Sequence, residues 1–104
     1  MTLREIIRNL ETISHELVIF ATKVDENWLL DAPAALVLEE DMDKLGVSLE
    51  NLTYFLEVFI ARETLEVWSK WRGREPLESE REEAVVYYAT NDAWLPGANE
   101  LETN

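Results

Sequence analysis

Leu52-Thr53-Tyr54-Phe55-Leu56-Glu57-Val58-Phe59-Ile60-Ala61-Arg62-Glu63-Thr64-Leu65-Glu66-Val67-Trp68-Ser69-Lys70-Trp71 is the longest apolar-rich segment of the chain and its most aromatic. How it is read decides the fold. As one helix it runs from about Leu52 to Arg72 and stops at Gly73, a residue type suited to the position just past a helix end. As a composite, Leu52–Val58 is a strand and the helix starts near Phe59, because Thr, Tyr, Phe and Val favour pleated structure. Glu57 is the odd residue in either case. On a helix, steps of about 100° place it between Trp68 and Trp71, beside Ile60 and Ala61. On a strand it shares a face with Phe55 and Phe59. A carboxylate on an apolar stripe has its pKa raised by desolvation, and such groups mark functional sites. The plainer reading gives Glu57 a partner inside the chain, an Arg or a Trp indole N–H.

Upstream, Leu17-Val18-Ile19-Phe20-Ala21 is a short apolar, β-branched and aromatic run, read as a strand covered on both faces. The polar turn Asp25-Glu26-Asn27 separates it from Trp28-Leu29-Leu30, and Asp31-Ala32-Pro33 breaks the chain again. Ala35-Leu36-Val37-Leu38 is the second strand. Two strands alone are marginal in water, so a helix, a third strand or a second subunit must complete them. Further back, Thr2 and Glu5 form a capping box for a helix reaching about Thr12, with Leu3, Ile6, Ile7, Leu10 and Ile13 on one face. Downstream, Pro76 opens a last helix, with Glu78, Glu80, Glu82 and Glu83 toward its positive end. Leu77, Arg81, Ala84, Val85 and Tyr88 line one of its faces, and Asn91-Asp92 ends it. Trp94 and Leu95 are too apolar for solvent, so Ala93–Gly97 folds back. The expectation is a single α+β domain over residues 1–104, built from an N-terminal helix, a short antiparallel hairpin, a long central helix and a C-terminal helix.

With 104 residues, 47% of them hydrophobic, the chain is long enough for one core and too apolar for disorder. Its formal net charge is −13, from 22 acidic and 9 basic residues. That balance argues against nucleic acid and anionic membrane as partners, since both need a basic footprint. It speeds encounter with a basic protein. Cysteine is absent, which removes disulfides, thiolate metal sites and a Cys nucleophile and fits a reducing cytoplasm. The N-terminal residues lack the unbroken apolar stretch of a signal peptide, and no apolar run approaches the roughly 20 residues that span a bilayer. The expected location is the cytoplasm.

Few residues carry recognisable chemistry. The loop Asp41-Met42-Asp43-Lys44-Leu45-Gly46 begins like a calcium loop, but Leu45 and Leu52 stand where two ligands belong. His15 is the single histidine and makes no zinc site without Cys or a second His. The three glycines form no phosphate loop. No cofactor, metal or catalytic residue is assigned. Two sets of candidate residues remain. Glu57 with Trp28, Trp68 and Trp71 would make a ligand pocket, with Glu57 as acid/base group or anchor. The loop residues Glu39, Glu40, Asp41 and Asp43, with Glu78, Glu82 and Glu83 of the last helix, would steer a basic partner.

The layout also resembles a family of small acidic bacterial proteins of unknown function. The resemblance is carried by Leu3-Arg4-Glu5-Ile6 with Leu10, by Val18-Ile19-Phe20-Ala21, and by Trp28 through Asp31 to Ala35-Leu36-Val37. Tyr54-Phe55-Leu56 and Tyr87-Tyr88-Ala89-Thr90-Asn91-Asp92-Ala93-Trp94 complete it. It covers most of the chain and implies no activity. In size and charge the chain is also similar to the immunity proteins encoded beside secreted toxins. Three functions are therefore expected in turn: a non-enzymatic protein–protein interaction domain that covers a basic partner, a small-ligand-binding domain or enzyme using Glu57, and a structural homo-oligomer.

Overall fold

The computed structural model describes residues 1–41 and 51–99. Its elements in chain order are α1 (Leu3–Arg8), a 3-10 turn (Leu10–Thr12), β1 (Leu17–Ala21), β2 (Lys23–Val24), β3 (Asn27–Trp28), β4 (Ala34–Leu38), a 3-10 turn (Glu39–Asp41), β5 (Thr53–Glu57), α2 (Val58–Arg72), α3 (Glu78–Asn91) and α4 (Pro96–Asn99). The class is α+β, as the segment pattern implies. The central segment is the composite: strand to Glu57, helix from Val58. Local helix preference loses to pairing there, because β1 offers a second unfilled edge that Thr53–Glu57 can occupy.

The result is an antiparallel sheet of order β4-β1-β5, so the third strand comes from the same chain. β1 pairs with β4 in unbroken register, Leu17 opposite Leu38 through Ala21 opposite Ala34. Its pairing with β5 is not regular. Ile19 faces Leu56 and Phe20 faces Tyr54, which leaves Phe55 as the extra residue of a β-bulge. The turn expected at Asp25-Glu26-Asn27 is the tip of a second, two-stranded ribbon, with Lys23 opposite Trp28 and Val24 opposite Asn27.

The faces of the sheet follow from register, since directly opposed residues project to the same side. Ile19, Leu36 and Leu56 join Leu3, Ile6, Ile7 and Leu10 from the N-terminal turns, Val58, Ala61 and Leu65 from α2, and Val85 from α3 in one core. The bulge turns Phe55 to this same side, where its ring meets Trp28 edge-on at 4.8 Å between centroids. Val18, Phe20 and Val37 form a smaller buried cluster on the opposite face, with Ala35 and Leu52 against it.

Most helix ends are closed by local contacts, through side chains at α1 and α3 and through the backbone at the end of α2. Thr2 and Glu5 make the reciprocal capping box of α1: the Thr2 N–H donates to Glu5 at 2.9 Å and the Glu5 N–H to Thr2 at 3.2 Å. α1 is shorter than its apolar periodicity suggests. It yields at Asn9 to a 3-10 turn that still buries Leu10, and the Asn9 side chain donates back to the Glu5 carbonyl at 2.8 Å. Gly73 ends α2 in the left-handed conformation, φ 73°, as its position predicts. α3 begins two residues beyond Pro76, where the Leu77 N–H donates to the Glu80 carboxylate at 2.8 Å.

α1 and α3 are stitched together by charge. Arg81 donates to both carboxylate oxygens of Glu11, at 2.7 and 2.9 Å, and to the Ile7 carbonyl at 2.8 Å. Arg4 bridges Glu82 at 3.1 Å and Asp31 at 2.6 Å, and Arg8 pairs with Glu78 at 3.2 Å. At the C-terminal side the chain folds back as expected: the Trp94 ring lies 6.4 Å from Tyr88, and α4 presses Gly97 onto Trp71 so closely that the ring leaves no room for a Cβ there.

Candidate functional site

Glu57 is the last residue of β5 and caps α2. Register, not hydrophobic patterning, decides where it points. Val18 lies opposite it, and Phe20 opposite Tyr54, so Glu57 and Tyr54 share the face of Val18. The bulge moves Phe55 to the other side. The expectation that a strand would set Glu57 beside Phe55 therefore fails by one inserted residue. Glu57 is half-buried, and its Oε2 accepts the Tyr54 hydroxyl at 2.7 Å. Burial, reinforced by this carboxylate, pushes the Tyr54 hydroxyl well above its ordinary range, so Tyr54 keeps its proton and is a poor base or nucleophile.

At this end of the sheet three chain segments converge: the start of β1, the end of β4 with the turn after it, and the β5–α2 junction. Between them is an open cleft of about 580 Å³, lined by His15, Glu16, Leu38, Glu39, Glu40, Glu57 and Phe59. Four carboxylates and one imidazole surround two apolar side chains. Phe59, on the first turn of α2, is 51% exposed. Among the described residues, Glu16, Glu39 and Glu40 have no lysine or arginine partner, so their charge is turned to solvent. Among the described residues, too, no group of three His, Asp or Glu side chains is placed to hold a metal ion. The arrangement is suited to attracting a cation with a hydrophobic body.

Comparison of the chain with protein-family models, with curated proteins and with solved structures finds no match. The site must be read from its own geometry.

That geometry separates the residues proposed to form a tryptophan-lined pocket. No Trp ring lines the cleft at Glu57. Trp28 stands at the opposite end of the sheet, in the ribbon beyond the Ala21–Thr53 pair, stacked under the Lys23 ammonium at 5.0 Å. Trp68 and Trp71 lie about 15 and 20 Å along α2 from its start beside Glu57. They meet edge-on at 6.2 Å, with Arg74 over Trp68 at 4.9 Å and Arg72 over Trp71 at 4.2 Å. The helical reading of Leu52–Arg72 had placed Glu57 among them. The strand turns it away.

The acidic residues also divide. Glu39 and Glu40 line the cleft, and Asp41 closes the turn that carries them. Asp43, with the rest of the loop read against a calcium motif, lies outside the described residues. On α3, Glu82 and Glu78 are engaged with Arg4 and Arg8, and Glu83 is exposed. Sequence reasoning missed Glu16, Leu38 and Phe59, and considered His15 for a zinc site. The available signal was weak: His15-Glu16 and Phe59 flank elements whose ends coincide only after β5 pairs with β1.

Proposed function

We propose that this domain is a non-enzymatic protein–protein interaction module that covers a basic surface on a partner, in the manner of an immunity protein. The observation that carries the reading is the cleft at the end of the sheet, with its outward-facing carboxylates around Leu38 and Phe59. The chain's formal charge of −13 extends that local field over the whole molecule and favours fast, salt-sensitive encounter with a cation-rich surface. The contribution of α3 is smaller than its acidic sequence suggests, because Glu78 and Glu82 are engaged with α1. We place the protein in the cytoplasm, where a chain without cysteine is at no disadvantage. Among the described residues, no helix is long and apolar enough to cross a membrane.

The test uses wild type and a Glu16→Gln/Glu39→Gln/Glu40→Gln variant as baits in cell extract. The reading requires a basic protein that wild type retains and the variant does not. Surface plasmon resonance with that protein should then show association slowed about tenfold in the variant, with dissociation little changed. Recovery of the same proteins by both baits would sink the reading.

A small cationic ligand is the second reading, because the cleft volume falls in the range of small-molecule sites, roughly 300–1,000 Å³. It needs Glu57 and Phe59 without the tryptophans. The homo-oligomer loses its original motive, since β5 completes the sheet within one chain.

A further inference from the structure

The outer face of α2 begins at Phe59, and among the described residues Phe59, Glu63, Glu66 and Lys70 on it are exposed. A second open groove, lined by His15, Phe59, Arg62, Glu63, Glu66, Val67 and Lys70, adjoins the carboxylate cleft at His15 and Phe59. Phe59 thus belongs to the lining of both depressions. The charge of the first depression selects what can lie there. A second copy of this chain brings a further −13 and is repelled. The complementary occupant is a cationic segment of another protein.

The chain stacks both kinds of cation on its rings, Lys23 on Trp28 as well as Arg74 on Trp68, but only the arginine also binds a carboxylate. Arg74 lays its guanidinium over the Trp68 ring at 4.9 Å and at the same time donates to both oxygens of Glu80, at 2.9 and 2.8 Å. One planar side chain satisfies a ring and a carboxylate together. A guanidinium can do this because it stacks through its face and donates through its edge, whereas an ammonium is a strongly hydrated point charge. The cleft lining brings the same two elements together, the Phe59 ring and the carboxylates of Glu57, Glu39 and Glu40, while Arg62 and Lys70 line only the second groove.

We propose that the basic partner presents an arginine to this surface, its plane on the Phe59 ring and its N–H groups on the surrounding carboxylates. This rests on the reading of the domain as a cover for a basic partner, and adds the side chain that it recognises. The test is isothermal titration of the full chain with hexa-arginine and with hexa-lysine peptides at about 150 mM salt, where long-range attraction is largely screened. Hexa-arginine should bind about threefold more tightly, because a guanidinium stacks and donates at once where an ammonium does one or the other. Phe59→Leu, a change at an exposed side chain, should remove that preference. Glu39→Gln/Glu40→Gln should weaken both peptides. Equal affinity in wild type, or a preference that survives Phe59→Leu, overturns the arginine while leaving a basic partner in place. Absence of binding by both peptides overturns the cover reading as well.

Discussion

Glu26 shows most plainly what a single residue can cost. Asp25 and Glu26, between β2 and β3, have φ of 50° and 71°. A two-residue hairpin turn whose strands carry the usual right-handed twist needs both central residues in the left-handed region, where Asn-Gly and Asp-Gly are preferred. Asp tolerates that conformation through its short polar side chain. Glu does not, and the penalty for an ordinary L-residue is about 1 kcal/mol or more. The ribbon holds it there because Trp28 is anchored on Phe55 and covered by Lys23. Replacing Glu26 with Gly should therefore stabilise the protein by about 0.5–1 kcal/mol, after allowing for the greater freedom of Gly in the unfolded chain. A higher urea midpoint with an unchanged slope would bear this out. A lower midpoint would show that the turn is not strained.

Among the elements, β5 is the one whose internal geometry organises the rest. Its bulge lets Phe55 and Leu56, adjacent in sequence, enter the same core, where they are 2% and 5% exposed. Phe55→Ala should cost about 3–4 kcal/mol, the usual price of removing a buried ring, and should also loosen Trp28. A urea titration checks the size, and a loss below about 1 kcal/mol would mean that the ring is not a core anchor. The same bulge explains how far the sequence could be read. β1 and β4 were legible because five apolar or β-branched residues in each, bounded by turn residues, leave few alternatives. The caps at Thr2 and Gly73 were legible because each has one local chemical role. Residues Leu52–Val58 were not, since Thr-Tyr-Phe-Leu-Glu-Val fits a helix face and a strand about equally well. The choice between them depends on the free edge of β1, more than 30 residues earlier in the chain. The location of Glu57 was lost with it, because an inserted residue in a strand has no local signature and reverses the side to which its neighbours point. The cleft was hidden for a related reason: its residues come from three separated stretches that meet only at one end of the finished sheet.

For the whole molecule the dominant property is charge, and its effect on stability changes sign with pH. Above pH 5 the excess of carboxylates repels itself, so acidification toward the isoelectric point near 4.3 relieves strain on the compact state. Below that, specific contacts are lost. Arg74, and then the Leu77 N–H, hold Glu80 down at about 2 against an ordinary 4.5. Arg81 lowers Glu11, and the Thr2 backbone N–H followed by its hydroxyl lowers Glu5. A carboxylate whose pKa is depressed by folding stabilises the native state above its unfolded value and loses that contribution as pH falls through its folded value. The thermal midpoint should thus hold or rise from pH 7 to about 5 and then fall between about pH 4.5 and 2. Calorimetry across that range checks the shape. Glu80→Gln should keep the first limb and flatten the second, and an acid limb of unchanged steepness would remove Glu80 from the explanation.

Strand β5 passes into α2 across a single peptide bond, with Glu57 as both last strand residue and helix cap. No loop separates them to absorb a local opening. Leu56, held opposite Ile19 in the sheet, and Ala61 and Leu65, held in the same core, should therefore release their amide protons to solvent in one event. Native-state hydrogen exchange should show a common opening free energy at Leu56, Ala61 and Leu65, the first-turn amides of α2 apart. An α2 that exchanges well before β5 would reveal a break at the Glu57–Val58 bond. A common energy would make the stretch that looks like one helix in sequence, and is two elements in space, a single unit in the protein's breathing.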